Sequence, residues 1–71
     1  MAYLLTNEEK IGIVEQHLRN LEYSKFNVSI SLIEESSITP VKQDLIDDLE
    51  KQISDINAKI ESLVAELATL N

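Results

Sequence analysis

The C-terminal half of the chain carries an uninterrupted pattern of apolar residues that few folds can accommodate. From Ile46 onward the steps between successive apolar residues alternate between three and four, which is the a/d repeat of a coiled-coil seam. Neither Gly nor Pro interrupts the pattern after Pro40. The repeat predicts one long helix, from about 40 to 70, whose apolar side faces another helix. Its apolar residues are Ile46, Leu49, Ile53, Ile56, Ile60, Leu63, Leu67 and Leu70.

The N-terminal half carries a second a/d series that only Lys25 interrupts. Thr6 followed by Glu9 is the pattern of a capping box at a helix N-terminus, and the pattern predicts a first helix from about 7 to 35. Residues 1–5 precede it as an apolar arm that we expect to pack on something. The members of the series are Ile11, Val14, Leu18, Leu21, Val28 and Leu32.

Lys25 stands at a seam position of the first helix. We expect its aliphatic stem to cover apolar surface while its ammonium group reaches water or Glu50. The alternative is a polar residue in the seam that fixes the register of the pair at a cost in stability.

The segment 26–32 also fits a strand, because apolar and polar residues alternate along it. A strand needs a partner, and the chain offers no second candidate. Because Tyr23, Phe26, Ile30 and Ile33 also recur at helical steps, we favour a helix through this segment.

A turn over residues 36–39 joins the two helices. Thr39 is the expected N-cap of the second helix and Pro40 its first residue, a position that proline suits. A short turn makes the helices antiparallel, so the numbers of facing residues add up to a constant. Four facing pairs add up to 77, and they are Leu32 with Leu45, Val28 with Leu49, Leu21 with Ile56 and Val14 with Leu63.

A second apolar stripe, formed by Tyr23, Phe26, Ile30 and Ile33, lies more than about 90° around the first helix from its seam. Ile38, Val41 and Leu45 extend it with apolar surface near the same end. An isolated hairpin exposes this stripe, and large exposed apolar patches mark interfaces. We therefore expect a homo-oligomer, most simply a two-fold dimer that forms a four-helix bundle. The alternative is a docking surface for a different protein. The apolar stripe comprises Tyr23, Phe26, Ile30, Ile33, Ile38, Val41 and Leu45.

The net charge of −7 makes direct binding to nucleic acid or anionic lipid unfavourable. Four aspartates of the second helix form an acidic face, which suggests a second function: an acidic inhibitor or decoy that binds a basic surface of a host protein. On the same helix we expect ion pairs between Asp47 and Lys51 and between Asp55 and Lys59. The acidic face comprises Asp44, Asp47, Asp48 and Asp55.

Residues that carry out chemistry are scarce in this sequence. There is no Cys, and His17 is the only histidine, so a metal or catalytic site lacks convergent partners. No phosphate loop or nucleophile elbow is present, and two packed helices are expected to leave no obvious pocket. We expect a protein that is not an enzyme and takes no cofactor, metal or small-molecule substrate. The lack of Cys and of a membrane-length apolar run agrees with a cytoplasmic location.

Three stretches resemble small uncharacterised helical-hairpin proteins of marine tailed phages. They are Arg19-Asn20-Leu21-Glu22-Tyr23, Ser31-Leu32-Ile33-Glu34-Glu35 and the heptads of 40–71. The resemblance implies either a virion component or a small factor that interacts with host proteins. Together with the residue patterns, it leads us to expect a structural or interaction protein that self-associates and acts as an assembly subunit or adaptor.

Overall fold

The computed structural model describes residues 4–71, which form a hairpin of two α-helices. Helix α1 spans Asn7–Ser36 and helix α2 spans Gln43–Leu70. The residues described contain no strand, so the fold is all-helical. Residues 1–3 of the expected N-terminal arm lie outside this description. Leu4 and Leu5, its remaining members, are exposed, and packing of the arm is therefore not seen for them.

Helix α1 begins at the capping box that the sequence predicts. The backbone N–H of Glu9 donates to Thr6 Oγ1 at 3.1 Å, and the backbone N–H of Thr6 donates to Glu9 Oε1 at 3.0 Å. The two bonds satisfy donors that a helix N-terminus otherwise leaves unpaired. Two hydrogen bonds with Thr6 lower the pKa of Glu9 below its ordinary value of 4.5. The bond from the Thr6 backbone has the larger effect and the bond with its hydroxyl the smaller one.

The segment 26–32 is helical, which confirms the preferred prediction. Val28 and Leu32 are half-buried while Phe26 and Ile30 are exposed, so burial follows the helical period and not the alternation of a strand. The Ser29 hydroxyl donates to the Lys25 carbonyl oxygen at 2.9 Å, the local bond by which serine is accommodated inside a helix. Packing against a second helix thus outweighs the low helix propensity of this segment.

The second helix begins later than the sequence predicts. Residues 37–42 form the connection in place of 36–39, and Lys42, extended at φ −88° and ψ 92°, replaces Thr39 as the N-cap. The backbone N–H groups of Leu45 and Ile46 both donate to the Lys42 carbonyl oxygen at 3.1 Å. The prediction was wrong because the fixed φ of proline suits an extended segment as well as a first helical turn, so Pro40 marks the interruption without marking the start of α2.

The helices pack along the two a/d series. All the seam residues predicted on α1 and α2 are buried or half-buried, Lys25 included. Ile46 and Leu49 are the most buried, at 7% and 8% exposed, and both lie in the first two turns of α2. The core therefore lies along a single seam and is densest beside the connection.

A hydrogen bond joins the start of α1 to the end of α2, as an antiparallel arrangement requires, whereas Leu45, expected opposite Leu32, is exposed. The Asn7 side-chain amide donates to the Leu70 carbonyl oxygen at 3.4 Å, and these two numbers also add up to 77. The start of α1 therefore lies beside the end of α2. The hairpin is a rod of 60 × 17 × 15 Å.

The predicted ion pairs of α2 are replaced by a different one. Lys51 Nζ lies 3.2 Å from Asp55 Oδ2, and between residues 4 and 71 this is the one ion pair within 4 Å. Asp47 instead accepts from Gln43 Nε2 at 2.8 Å, and Lys25 forms no such pair with Glu50. Lys51 has an aspartate one turn away on each side, so spacing alone could not decide between them.

Candidate interaction surface

The apolar stripe is exposed along its whole length. Tyr23, Phe26 and Ile33 are 69%, 66% and 62% exposed, and the remaining members are between 36% and 50% exposed. Tyr23, Phe26, Ile30 and Ile33 lie on α1, Ile38 and Val41 lie in the connection, and Leu45 lies in the first turn of α2. The structure thus keeps the stripe separate from the seam, whose residues face the other helix.

The exposure of these side chains is unusual for their type. Phe, Ile and Leu are among the residues most often buried in folded proteins, and single exposed examples need no explanation. Here the stripe exposes five side chains of these three types together with Tyr23 and Val41, whereas among residues 4–71 only Ile46 and Leu49 are buried. An apolar surface of this kind is typical of a site that another molecule covers.

A shallow hollow of about 270 Å³ lies within the stripe, lined by Glu22, Tyr23 and Phe26. Its walls are the two aromatic rings one turn apart on α1. Hollows between side chains of one helix receive single side chains of a second helix in knobs-into-holes packing. The hollow is therefore a place where an aliphatic side chain can insert.

The acidic face lies on the exposed surface of α2. Asp48 accepts from Gln52 Nε2 at 2.9 Å, Asp47 accepts from Gln43, and Asp55 pairs with Lys51. Asp44 lies in the first turn of α2, where its negative charge interacts favourably with the positive end of the helix dipole. All four carboxylates are thus accessible to solvent. Those of Asp47, Asp48 and Asp55 each contact a neighbouring side chain of α2.

His17 is exposed on α1, and it lines an open groove of about 500 Å³ between the helices. The groove is a finding against the expectation of no obvious pocket. Its other lining residues are Asn20, Leu21, Ala58, Lys59, Ser62 and Leu63. The seam closes only the centre of the contact between two helices, so a furrow remains along its edge. Neither a cysteine nor a second histidine accompanies His17 there.

Two further features bear on what the hairpin can bind. Within residues 4–71, no group of three or more His, Cys, Asp or Glu side chains converges as a metal site would require. In the same part of the chain, neither helix combines the length and the apolar character that a bilayer crossing needs.

Sequence reasoning missed two exposed apolar residues. Ile13 and Val64 are 48% and 52% exposed, and neither belongs to the seam or to the stripe. Ile13 precedes the seam residue Val14, and Val64 follows the seam residue Leu63. The a/d pattern includes Val14 and Leu63 but not Ile13 and Val64, so it gave no signal for them. Their position outside both apolar surfaces makes them useful controls for the stripe.

The chain matches no protein-family model, no curated protein and no solved structure. The resemblance to phage hairpin proteins therefore stays a prediction.

Proposed function

We propose that this protein is a non-enzymatic structural or interaction protein that self-associates through its apolar stripe and serves as an assembly subunit or adaptor. The observation that carries the proposal is the exposure of Tyr23, Phe26 and Ile33 on a face of α1 that α2 leaves uncovered. On the resemblance to phage hairpin proteins, we propose that the assembly is part of a phage particle.

The surface area of the hairpin supports an oligomer. Its accessible surface is 5575 Å², whereas a compact monomer of 8.0 kDa exposes about 4,450 Å². The excess of roughly 1,100 Å² exceeds the area of about 800 Å² that each partner buries in a stable interface. A second hairpin laid along the stripe covers part of this excess and gives a body of four helices.

Self-association also compensates for the small core. A chain of 71 residues buries a limited fraction of its surface, and domains of this size usually need a disulfide, a metal or a partner. The sequence contains no Cys and therefore has no disulfide. A second copy supplies the missing burial without any further component.

The test is the mass in solution, measured by light scattering on a sizing column. We expect a dimer or larger species for the natural sequence. Phe26→Asp places a charge in the centre of the stripe, where burial of an unpaired carboxylate is strongly unfavourable, so we expect a monomer. The matched control is Val64→Asp, which changes an exposed apolar residue outside the stripe and should keep the oligomer. A monomer for the natural sequence, or an unchanged mass for Phe26→Asp, contradicts the proposal.

The acidic face supports a second candidate, an acidic inhibitor or decoy for a basic protein. The observation in its favour is that three of its four carboxylates lack a basic neighbour within 4 Å among residues 4–71, in a chain of net charge −7. Binding driven by these charges weakens steeply with added salt. Self-association through an apolar surface persists, so the salt dependence of binding to a basic probe such as polylysine, compared with that of the mass in solution, tells the two modes apart.

A further inference from the structure

The spacing of the stripe on α1 allows a second copy to pair with it in antiparallel orientation, and the charges at its ends favour that direction. This deduction rests on the self-association proposed above and adds the identity and direction of the paired helices. In an antiparallel pair of identical helices, facing residues have numbers with a constant sum. Tyr23 with Ile33 and Phe26 with Ile30 share one sum, 56, so the four largest side chains of the stripe on α1 are symmetric about residue 28.

The same register brings a basic residue near acidic groups, and it also places Glu22 opposite Glu34, whose numbers add up to 56. The register that pairs Tyr23 with Ile33 also pairs Arg19, at one end of the stripe, with Ser37, the C-cap of α1. Glu34 lies three residues before Ser37, which is about 4.5 Å along the helix axis and within reach of an arginine side chain. The last turn of α1 contains no basic residue, although a cation there is favourable for the helix dipole.

Arg19 is free to take that place. Among the side chains of residues 4–71, the ion pair within 4 Å is Lys51 with Asp55, so the guanidinium of Arg19 is unpaired in the single hairpin. A two-fold interface must be complementary to itself. The part of the stripe on α1 meets this requirement, because it has Arg19 at one end, Glu34 and the C-terminus of α1 at the other, and four apolar side chains between them.

We propose that two copies pair α1 against α1 in antiparallel orientation about a two-fold axis near residue 28, with Arg19 of each copy beside Glu34 of the other. Ile33 of the second copy then lies opposite Tyr23 and enters the hollow that Tyr23 and Phe26 line. The two α1 helices form the centre of the assembly, and each α2 lies outside against its own α1.

The first test reverses charges and measures the dimer dissociation constant by sedimentation equilibrium. Arg19→Glu creates two like-charged contacts per dimer, and we expect a dissociation constant roughly tenfold higher. Lys59→Glu is the matched control, since it lowers the net charge equally from an exposed site on α2, and it should change the constant much less. The double variant Arg19→Glu/Glu34→Arg should restore the dimer. An equal effect of Arg19→Glu and Lys59→Glu, or no restoration, overturns the orientation.

A cross-linking test reads the direction of the helices independently. The chain lacks Cys, so introduced thiols have no competitors. Under oxidation, Tyr23→Cys mixed with Ile33→Cys should give a covalent dimer that neither variant gives alone. A covalent dimer from Tyr23→Cys alone contradicts the proposed register, and so does the absence of a cross-link in a sample that light scattering shows to be dimeric. If the natural protein is a dimer but gives either contrary cross-linking result, only the orientation is wrong. If the natural protein is a monomer, self-association itself is wrong.

Discussion

Thr6 and Glu9 close the N-terminus of α1 by reciprocal hydrogen bonds, and each residue can be removed separately. We expect Thr6→Ala to lower the free energy of unfolding by about 1 kcal/mol, the usual contribution of a threonine N-cap. Urea unfolding followed by circular dichroism measures the difference. Thr69→Ala serves as the control because its hydroxyl donates to the Glu66 carbonyl oxygen and caps no helix N-terminus. Equal losses for the two variants would count against the cap.

The Glu9 half of the capping box adds a dependence on pH. Hydrogen bonds from Thr6 lower the pKa of Glu9 in the folded state, so its contribution is complete above the ordinary pKa of 4.5 and is lost as the pH falls through the lowered value. The stability difference between the natural protein and Glu9→Gln should therefore be constant near neutral pH and shrink below pH 4.5. A difference that does not vary with pH would contradict the role of the carboxylate.

At the scale of the helix, α1 contains one residue that weakens it without an evident structural need. Apart from its chain neighbours and the adjacent backbone of α1, Gly12 has no atom within 4 Å of the position a Cβ would occupy, and its φ is not positive. Gly12→Ala should therefore raise the free energy of unfolding by up to about 1 kcal/mol through helix propensity alone. Ser24→Ala, another exposed position of α1, is the comparison and should give a smaller gain. Destabilisation by Gly12→Ala would reveal a close contact at that point.

The helices also show how far sequence reasoning reaches. The spacing of Ile11 to Leu32 and of Ile46 to Leu70 predicted which side of each helix is buried, because a seam needs apolar side chains at every a and d position. It did not locate the start of α2, since Lys42 has no capping side chain and no local signal marks it. For the candidate site, the spacing of apolar residues located the stripe on α1. It did not identify what covers the stripe, because the pattern shows which face is apolar and not which molecule binds it.

At the scale of the whole molecule, the hairpin depends unequally on its seam residues. Leu49 is 8% exposed whereas Leu67, also a seam leucine of α2, is half-buried. We expect Leu49→Ala to cost about 2–5 kcal/mol, a large part of the stability of so small a domain, and Leu67→Ala to cost clearly less. Denaturant unfolding at one fixed protein concentration compares them, because association makes stability depend on concentration. Similar costs would mean that the core is uniform along the rod.

The position of Ile46 and Leu49 beside the connection implies an order of folding events. Contacts there close a short stretch of chain, whereas the bond between Asn7 and Leu70 closes a separation of 63 residues, and the entropic cost of closure grows with that length. We therefore expect the contacts between α1 and α2 to form first beside the connection and then successively toward the free ends of the helices. Those ends are the last part to close and the first to open, so exchange of backbone amide hydrogens increases steadily along the rod, away from the connection.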